Sequence, residues 1–405
     1  MSDVKYFDYA ASTPCDELVI EAMKPYWAET FGNPHSRSHE FGWNSENAIE
    51  KARKQIADLI NADASEIIFT SGATESNNLA IKGFIKHPMV KEKVQGKKIL
   101  SIKSEHKCVI ETLRSLEQEG FEIVFLPIHS NGLVDLEELK KEIDSACLVS
   151  ISYINNETGV VQDIPQISKI CREKKVTLHV DAAQAFGKIP INARDIDLMS
   201  ISGHKIYGPK GIGALFVSKK PRVRILPLIS GGGQERGMRS GTLATPLCVG
   251  LGAAAEVASN RMQADYDKAK KLHDMVYSQV VESMDHVFIN GALDSKIPHI
   301  INISIPYVEG ESLMMRMGGF ALASGSACTS KSLEPSHVIK AMNPDDHDLA
   351  HSSIRVCFGR NTSEEDVKNL IAAFKKHIIE LRDLSPLWDM VQKGIDLKSI
   401  NWKAH

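Results

Sequence analysis

The chain has no Cys-x-x-Cys pair: its seven cysteines (Cys15, Cys108, Cys147, Cys171, Cys248, Cys328, Cys357) are odd in number and scattered. That disfavours both a disulfide framework and a thiolate zinc site, and it leaves most of them to be small buried hydrophobes. No stretch approaches the roughly 18 consecutive apolar residues of a membrane span. No apolar run follows the acidic start marked by Asp3 and Asp8, so neither a signal nor a transit peptide is expected, and the chain reads as cytoplasmic. One-sided charge is missing too. A formal charge of −3 gives no broad attraction for nucleic acid, and the basic group Lys219, Lys220, Arg222 and Arg224 reads as a solvated loop. The glycine-rich stretch Gly231–Gly237 lacks nucleotide-phosphate spacing, there is no Walker-type Gly-x-x-x-x-Gly-Lys, and no internal repeat is found.

What is present is an ordinary globular composition, 43% hydrophobic and 24% charged over 405 residues. A length beyond the roughly 250 to 300 residues at which one core stops growing predicts two domains. Helices are predicted over Asp16–Thr30, over Ser38–Asn61 with one apolar face (Ile49, Ala52, Ile56, Leu59, Ile60), and from about Leu136 to Ile143 with Asp135 as cap. Seven short β-rich runs lie between Glu66 and Val217: Glu66–Thr70, Lys98–Ile102, Glu122–Leu126, Cys147–Tyr153, Thr177–Val180, Asp197–Ser202 and Gly213–Val217. Most are separated by helical segments, which predicts a mainly parallel α/β sheet with helices on both faces. A long helical region from about Leu243 to Met284 leads into a smaller α/β unit, in which Thr362 and Glu365 signal a capping box. The division expected is 15–260 for the large domain, with 1–14 and 261–405 forming the small one.

Ligands in such sheets sit beyond the carboxyl ends of strands, and four chemistry-bearing loops follow predicted strands. Lys205, in Ser202-Gly203-His204-Lys205, offers an amine that can form an imine with the aldehyde of pyridoxal phosphate. Asp181 offers a carboxylate for the pyridinium nitrogen, and Gln184 an amide for the phenolic oxygen. Gly72-Ala73-Thr74 opens a helix whose free N–H groups suit a phosphate, with Ser202 and His204 as further donors. His106 suits ring stacking and proton exchange, and Asn156 and Arg355 suit a substrate carboxylate. Cys328 lies in Ala323–Ser332, a run of mostly small residues that is expected to be exposed and mobile, with Lys331 favouring a thiolate. Singly each has a plainer reading: Thr74 or Asp181 as a helix cap, His106 as an ordinary polar residue, Arg355 as a surface ion pair, Cys328 as a chance linker cysteine.

Taken together the chain resembles the cysteine desulfurases of the IscS/NifS type, within the aspartate-aminotransferase-like pyridoxal phosphate fold. The motifs that carry the resemblance are Thr70–Asn77, Glu105-His106-Lys107, Asn155-Asn156-Glu157, His179–Gln184, Ser202–Gly211 and Ser324-Gly325-Ser326-Ala327-Cys328. The resemblance implies conversion of L-cysteine to L-alanine, with the sulfur held as a persulfide on Cys328. It implies that Lys205 carries the cofactor, that Ala73, Thr74, Asn156, Asp181, Gln184, Ser202 and His204 bind it, and that His106 stacks on it. It further implies a homodimer in which Thr242 of one subunit reaches the other's phosphate. The long Cys328 segment (about 323–335) resembles the housekeeping branch, and the tail (about 385–405, with Ser385-Pro386-Leu387-Trp388 and Trp402) resembles a segment that docks an iron–sulfur scaffold protein. Sulfur-carrier proteins of tRNA thiolation are implied as further acceptors, and transient ligation of a 2Fe-2S cluster by Cys328 is compatible with this. Ala183, Ala185, Gln234 and the acidic pair Asp345-Asp346 depart from the pattern and bear on acceptor preference. Two rivals fit parts of the same set. In a lyase or aminotransferase Cys328 would be incidental, whereas a non-catalytic subunit keeping only the fold would have no use for Lys205, Asp181 and His106.

Overall fold

The structure, a computed structural model, describes residues 4–90, 97–324, 335–344 and 347–395. The seven β-rich runs form one sheet: β2 (Ile67–Thr70), β3 (Lys98–Ile102), β4 (Glu122–Leu126), β5 (Ala146–Ser152), β6 (Thr177–Asp181), β7 (Leu198–Ser202) and β8 (Gly213–Val217), after a short β1 (Lys5–Tyr6). Their order is β2-β8-β7-β6-β5-β3-β4, and every pairing is parallel except the two made by β8. Neighbouring residues on these strands face opposite sides. Ile67 and Phe69 enter one core and Ile68 another, and Leu198 and Met199 part in the same way. A sheet covered on both faces needs apolar side chains at both parities, which is why its strands read as continuous apolar runs.

The covering helices follow from their apolar spacing. On one face α3 (Glu40–Leu59) buries Ile49, Ala52 and Ile56 against α8 (Thr245–Val276). A Cβ at Gly252 of α8 would fall 2.5 Å from the Ala52 Cα, so the close crossing requires glycine there. The other face is covered by α4 (Ala73–Lys86) and α5 (Lys107–Gln118). The segment expected as one helix over Asp16–Thr30 is instead α1 (Glu17–Met23) and α2 (Pro25–Ala28). Pro25 cannot donate the N–H that would continue α1, and it opens the next turn. Asp135 does cap α6 (Leu136–Glu142), which with α7 (Ile164–Glu173) packs into the same core as α3.

The second core gathers Phe7, Leu272, Ile303 and Phe374 around an antiparallel sheet. Its strands, in the order β12-β13-β10-β9, are β9 (Phe288–Ile289), β10 (Ile300–Ser304), β12 (Ala323–Ser324) and β13 (Ser353–Cys357). A separate strand, β11 (Phe320–Ala321), pairs with β1. Helix α8 supplies Leu251 and Ala254 to the first core and Leu272 and Val276 to the second. Helix α9 (His337–Met342) precedes β13, and α10 (Glu364–Asp383) and α11 (Pro386–Gln392) follow it. The capping box of α10 is Ser363 with Asp366, one residue beyond the Thr362–Glu365 pair expected. Thr362 Oγ1 is already taken as acceptor for the Gly359 N–H. No helix among the described residues is long and apolar enough to cross a membrane.

Candidate active site

Strands β2, β3, β6 and β7 run in one direction, so the turns after Thr70, Ile102, Asp181 and Ser202 open at the same edge of the sheet. Asp181 closes β6 and is only 7% exposed. Its Oδ2 accepts from Asn77 Nδ2 at 2.7 Å and its Oδ1 from the Ala183 N–H at 2.9 Å, so the carboxylate is anchored in the turn and does not cap a regular helix. Lys205 ends the 3-10 turn after β7. Its Nζ donates to the carbonyls of Ala10 and Ala11, the latter at 2.8 Å. The N-terminal segment is pinned over this turn by Thr13, whose N–H and hydroxyl both donate to the His204 carbonyl. Gln184 Nε2 donates to Ala10 as well.

The helix after β2 begins without a side-chain cap. Gly72 is its N-cap, with φ of +152°, and Thr74 is not. A Cβ at Gly72 would meet nothing within 4 Å, so space is open beside the helix start, where the first N–H groups, those of Ala73 and Thr74, have no intrahelical partner. Glu75, in the first turn, is tied to Arg239 at 2.9 Å. The glycine-rich stretch is held by the buried pair of Arg53 with Glu235, whose Oε2 also takes the Phe69 N–H of β2. That stretch leads to Thr242, which is exposed and lines a surface groove with Trp27 and Phe31.

His106 caps α5, and its Nδ1 accepts the Cys108 N–H at 3.2 Å, which places the proton of the neutral ring on Nε2. His106 is exposed to solvent, but the protein packed around its ring desolvates it enough to lower its pKa below the usual 6.5, with Lys205 adding to the effect and Asp181 opposing it. His204 is brought down to about 4, first by burial and then by Lys205, and is therefore neutral near pH 7. His106 and Asn156 line the same cavity of about 900 Å³. Arg355 is not a surface ion pair. It is 4% exposed, its Nη2 meets Asp8 at 2.7 Å, its Nη1 meets the Asn156 carbonyl at 2.8 Å, and its Nε has no partner among the described residues.

Cys328 and residues 325–334 lie outside the described residues, but both flanks are placed. Ser324 pairs with Ile354 beside Arg355. On the other side Ser336 donates to the buried Glu157 carboxylate at 2.5 Å, and His337 Nε2 lies 3.0 Å from the Glu105 carbonyl. Cys328 stands four positions after Ser324, a span of at most about 14 Å. Among the described residues no group of three or more His, Cys, Asp or Glu side chains could hold a metal ion.

Asn77, Glu105, Cys108 and Lys188 have no role that is visible in the sequence alone. Asn77 follows Thr74 by three positions, the helical spacing that puts both on one face of α4. Glu105 is fully buried. Desolvation and then the charge of Asp181 raise its pKa to about 8, so it is held largely protonated at neutral pH. A carboxyl whose folded pKa lies above its ordinary 4.5 stabilises fully below that value, and the contribution is lost as pH rises towards 8. Glu105→Gln keeps the acceptor for the Ser152 N–H and removes the titration. In thermal or urea unfolding, the variant's stability relative to the native chain should improve by roughly 2 to 4 kcal/mol between about pH 5 and about pH 8. Parallel pH profiles would contradict the assignment.

An amine, an anchored buried carboxylate and an uncapped helix start at one edge of a mainly parallel sheet define the site of a vitamin-B6-type transferase fold, and the chain belongs to the aminotransferase class-V family, which it matches over residues 5–370. Within that family it is 54% identical over 403 residues to a protein named cysteine desulfurase IscS from Neisseria meningitidis serogroup C (strain 053442), covering 99% of this chain and 98% of the relative. It is 55% identical to the protein of the same name from Rickettsia bellii (strain OSU 85-389), covering 99% and 97%. A solved NifS-like protein superposes with a TM-score of 0.84 at 34% identity, covering 94% of this chain and 100% of that one.

Proposed function

We propose that this chain is a pyridoxal-phosphate-dependent cysteine desulfurase that takes sulfur from L-cysteine onto Cys328 and passes it to acceptor proteins. One observation carries the reading: Lys205, Asp181 and the open start of α4 stand at one edge of the sheet, in a chain more than half identical to proteins named cysteine desulfurase. The donor set fits the cofactor. The N–H groups of Ala73 and Thr74, the buried Ser202 Oγ, which has no partner among the described residues, and His204 suit a phosphate. Asp181 suits the ring nitrogen, Gln184 the phenolic oxygen and the Lys205 amine the aldehyde. When bound, pyridoxal phosphate supplies an aldehyde for the substrate amine and a ring that draws electrons from the substrate carbon.

The chain's own groups do the rest. Arg355, already desolvated and bonded to the Asn156 carbonyl, is the guanidinium assigned to the substrate carboxylate. Lys205 Nζ takes the proton from the substrate Cα. The Cys328 thiolate attacks the substrate sulfur, so an S–S bond forms as the C–S bond breaks. The electron pair of that bond stays with Cβ, which takes up one proton, while Cα takes back another to give alanine, and we assign the movement of one of them to His106 Nε2. Cys328 is left as a persulfide, and a thiol acceptor takes its outer sulfur by a second attack. Acceptors are expected to include an iron–sulfur scaffold protein, docked at the tail from about Ser385, and sulfur carriers for tRNA thiolation. Transient ligation of a 2Fe-2S cluster by Cys328 during such delivery belongs to the same reading. The setting is the cytoplasm.

Purified protein given L-cysteine and a thiol reductant is expected to form alanine and sulfide in equal amounts; alanine without sulfide would overturn the reading. The dimer is part of this proposal, because Thr242 lies in an outer groove apart from the residues around Lys205 and would meet the phosphate of a second copy. Lys205→Ala and Thr242→Glu chains should each be inactive as homodimers, while mixed dimers regain one intact site and measurable turnover. Mixed dimers as inactive as the parents would place Thr242 in its own subunit's site or outside any.

A further inference from the structure

Lys188 is a lysine beside the site that the desulfurase reaction leaves unused. It follows Gln184 by four positions in the turn after β6, and its Nζ donates to Gln184 Oε1 at 2.7 Å. With Lys205, Tyr9 and His299 it lines a small cavity that α8 and the segment Phe358–Arg360 also wall. An ammonium carries only donors, so the Gln184 atom it meets must be the oxygen. At the other end Gln184 Nε2 donates to the Ala10 carbonyl at 2.8 Å, and a carbonyl can only accept. The two neighbours therefore select the same one of two amide orientations. Turning the amide over would set its NH2 against an ammonium and its oxygen against a carbonyl. The Ala10 carbonyl also accepts from Lys205, so one chain of hydrogen bonds joins Lys188, Gln184, Ala10 and Lys205. The second hydrogen of Nε2 has no partner among the described residues.

We propose that Lys188 is a positioning residue: by holding Gln184 Oε1 it fixes the amide so that an Nε2 hydrogen faces the phenolic oxygen of the cofactor joined to Lys205. This rests on the reading of Gln184 as the partner of that oxygen. Burial, followed by the charge of Lys205, brings the Lys188 amine down to about 7; the ammonium can only donate to Oε1, the neutral amine can also accept, and the Ala10 carbonyl selects the same amide orientation in both states. Gln184 without Lys188 keeps only the Ala10 carbonyl to disfavour the flipped amide. The hydrogen bond to the phenolic oxygen, which favours its anionic form, is then made only part of the time.

The test is a pH titration of the visible cofactor band in the loaded native protein, Lys188→Met, Gln184→Ala and the double variant, with no substrate present. Lys188→Met and Gln184→Ala should each raise the titration midpoint, by about 0.5 to 1 unit. The double variant should go no further than the larger single change, because Lys188 acts through Gln184. Lys188→Gln, which keeps a donor without the charge, should stay closer to the native midpoint than Lys188→Met, and it also serves if the methionine variant does not fold. Additive shifts, or an unmoved midpoint in Lys188→Met, would overturn the proposal, since Lys188 would then act by its charge alone or not at all. A native protein that takes up no cofactor would overturn the reading of the site and this proposal with it; a native band with an unmoved Lys188→Met midpoint would overturn only the latter.

Discussion

Replacing Cys328 by serine is expected to lower sulfide and alanine formation from L-cysteine by about a thousandfold or more while leaving the visible cofactor band and its response to L-cysteine in place. The attack on the substrate sulfur needs an anion. A thiol has an ordinary pKa near about 8.5 and Lys331 stands three positions away in the sequence, whereas a serine hydroxyl stays protonated at any workable pH. Serine is close to isosteric, so the loss would report chemistry and not packing. The placed flanks sharpen this expectation. Ser324 joins the strand of Arg355, and Ser336 is tied to Glu157 at the wall of the cavity that His106 and Asn156 line, so the segment carrying Cys328 starts and ends at the rim of the site. Full sulfide release by Cys328→Ser, followed by methylene-blue assay, would favour the rival in which this cysteine is incidental.

Lys205→Ala should abolish turnover, by about ten-thousandfold or more, and remove the visible band of a lysine-bound cofactor. Two functions are lost at once, the covalent hold on the aldehyde and the base for the substrate Cα proton. Losses from residues that act as a unit do not add, so Lys205→Ala combined with Cys328→Ser should be no slower than Lys205→Ala alone. Folding should survive. The Lys205 amine donates to the carbonyls of Ala10 and Ala11, and the segment carrying them is also held by Thr13 to the His204 carbonyl. Residual turnover within tenfold of native, measured as alanine, would rule out Lys205 as the cofactor-bearing base.

The sheet was legible because a sheet covered on both faces writes itself as short apolar runs. Lys98–Ile102, Glu122–Leu126 and Gly213–Val217 read at the bounds they adopt. Strand order was not legible, nor was the reversed direction of β8, since both depend on contacts between distant segments. The single helix expected over Asp16–Thr30 failed because apolar spacing does not register the missing N–H of Pro25. At α10 two hydroxyls stand side by side, and Thr362 is spent on Gly359, leaving the cap to Ser363.

The candidate site divides along the same line. Residues within a few positions of a strand end, such as Asp181 and Lys205, could be named from the order of strand and loop. Partners brought in from afar could not. Asp8 meets Arg355 from 347 positions away, and Asn77 reaches Asp181 across 104. Glu105 and Lys188 look like any acid and any base in the sequence. Only burial beside Asp181 in one case, and contact with Gln184 in the other, sets them apart.

The most direct test of the desulfurase mechanism is mass spectrometry of the Cys328 peptide after one turnover of loaded protein with L-cysteine and no reductant. Sulfur transfer to Cys328 predicts one added sulfur atom on that residue, removed by a thiol reductant, with one alanine formed for each sulfur gained. Alanine and sulfide appearing while Cys328 gains no sulfur would contradict it.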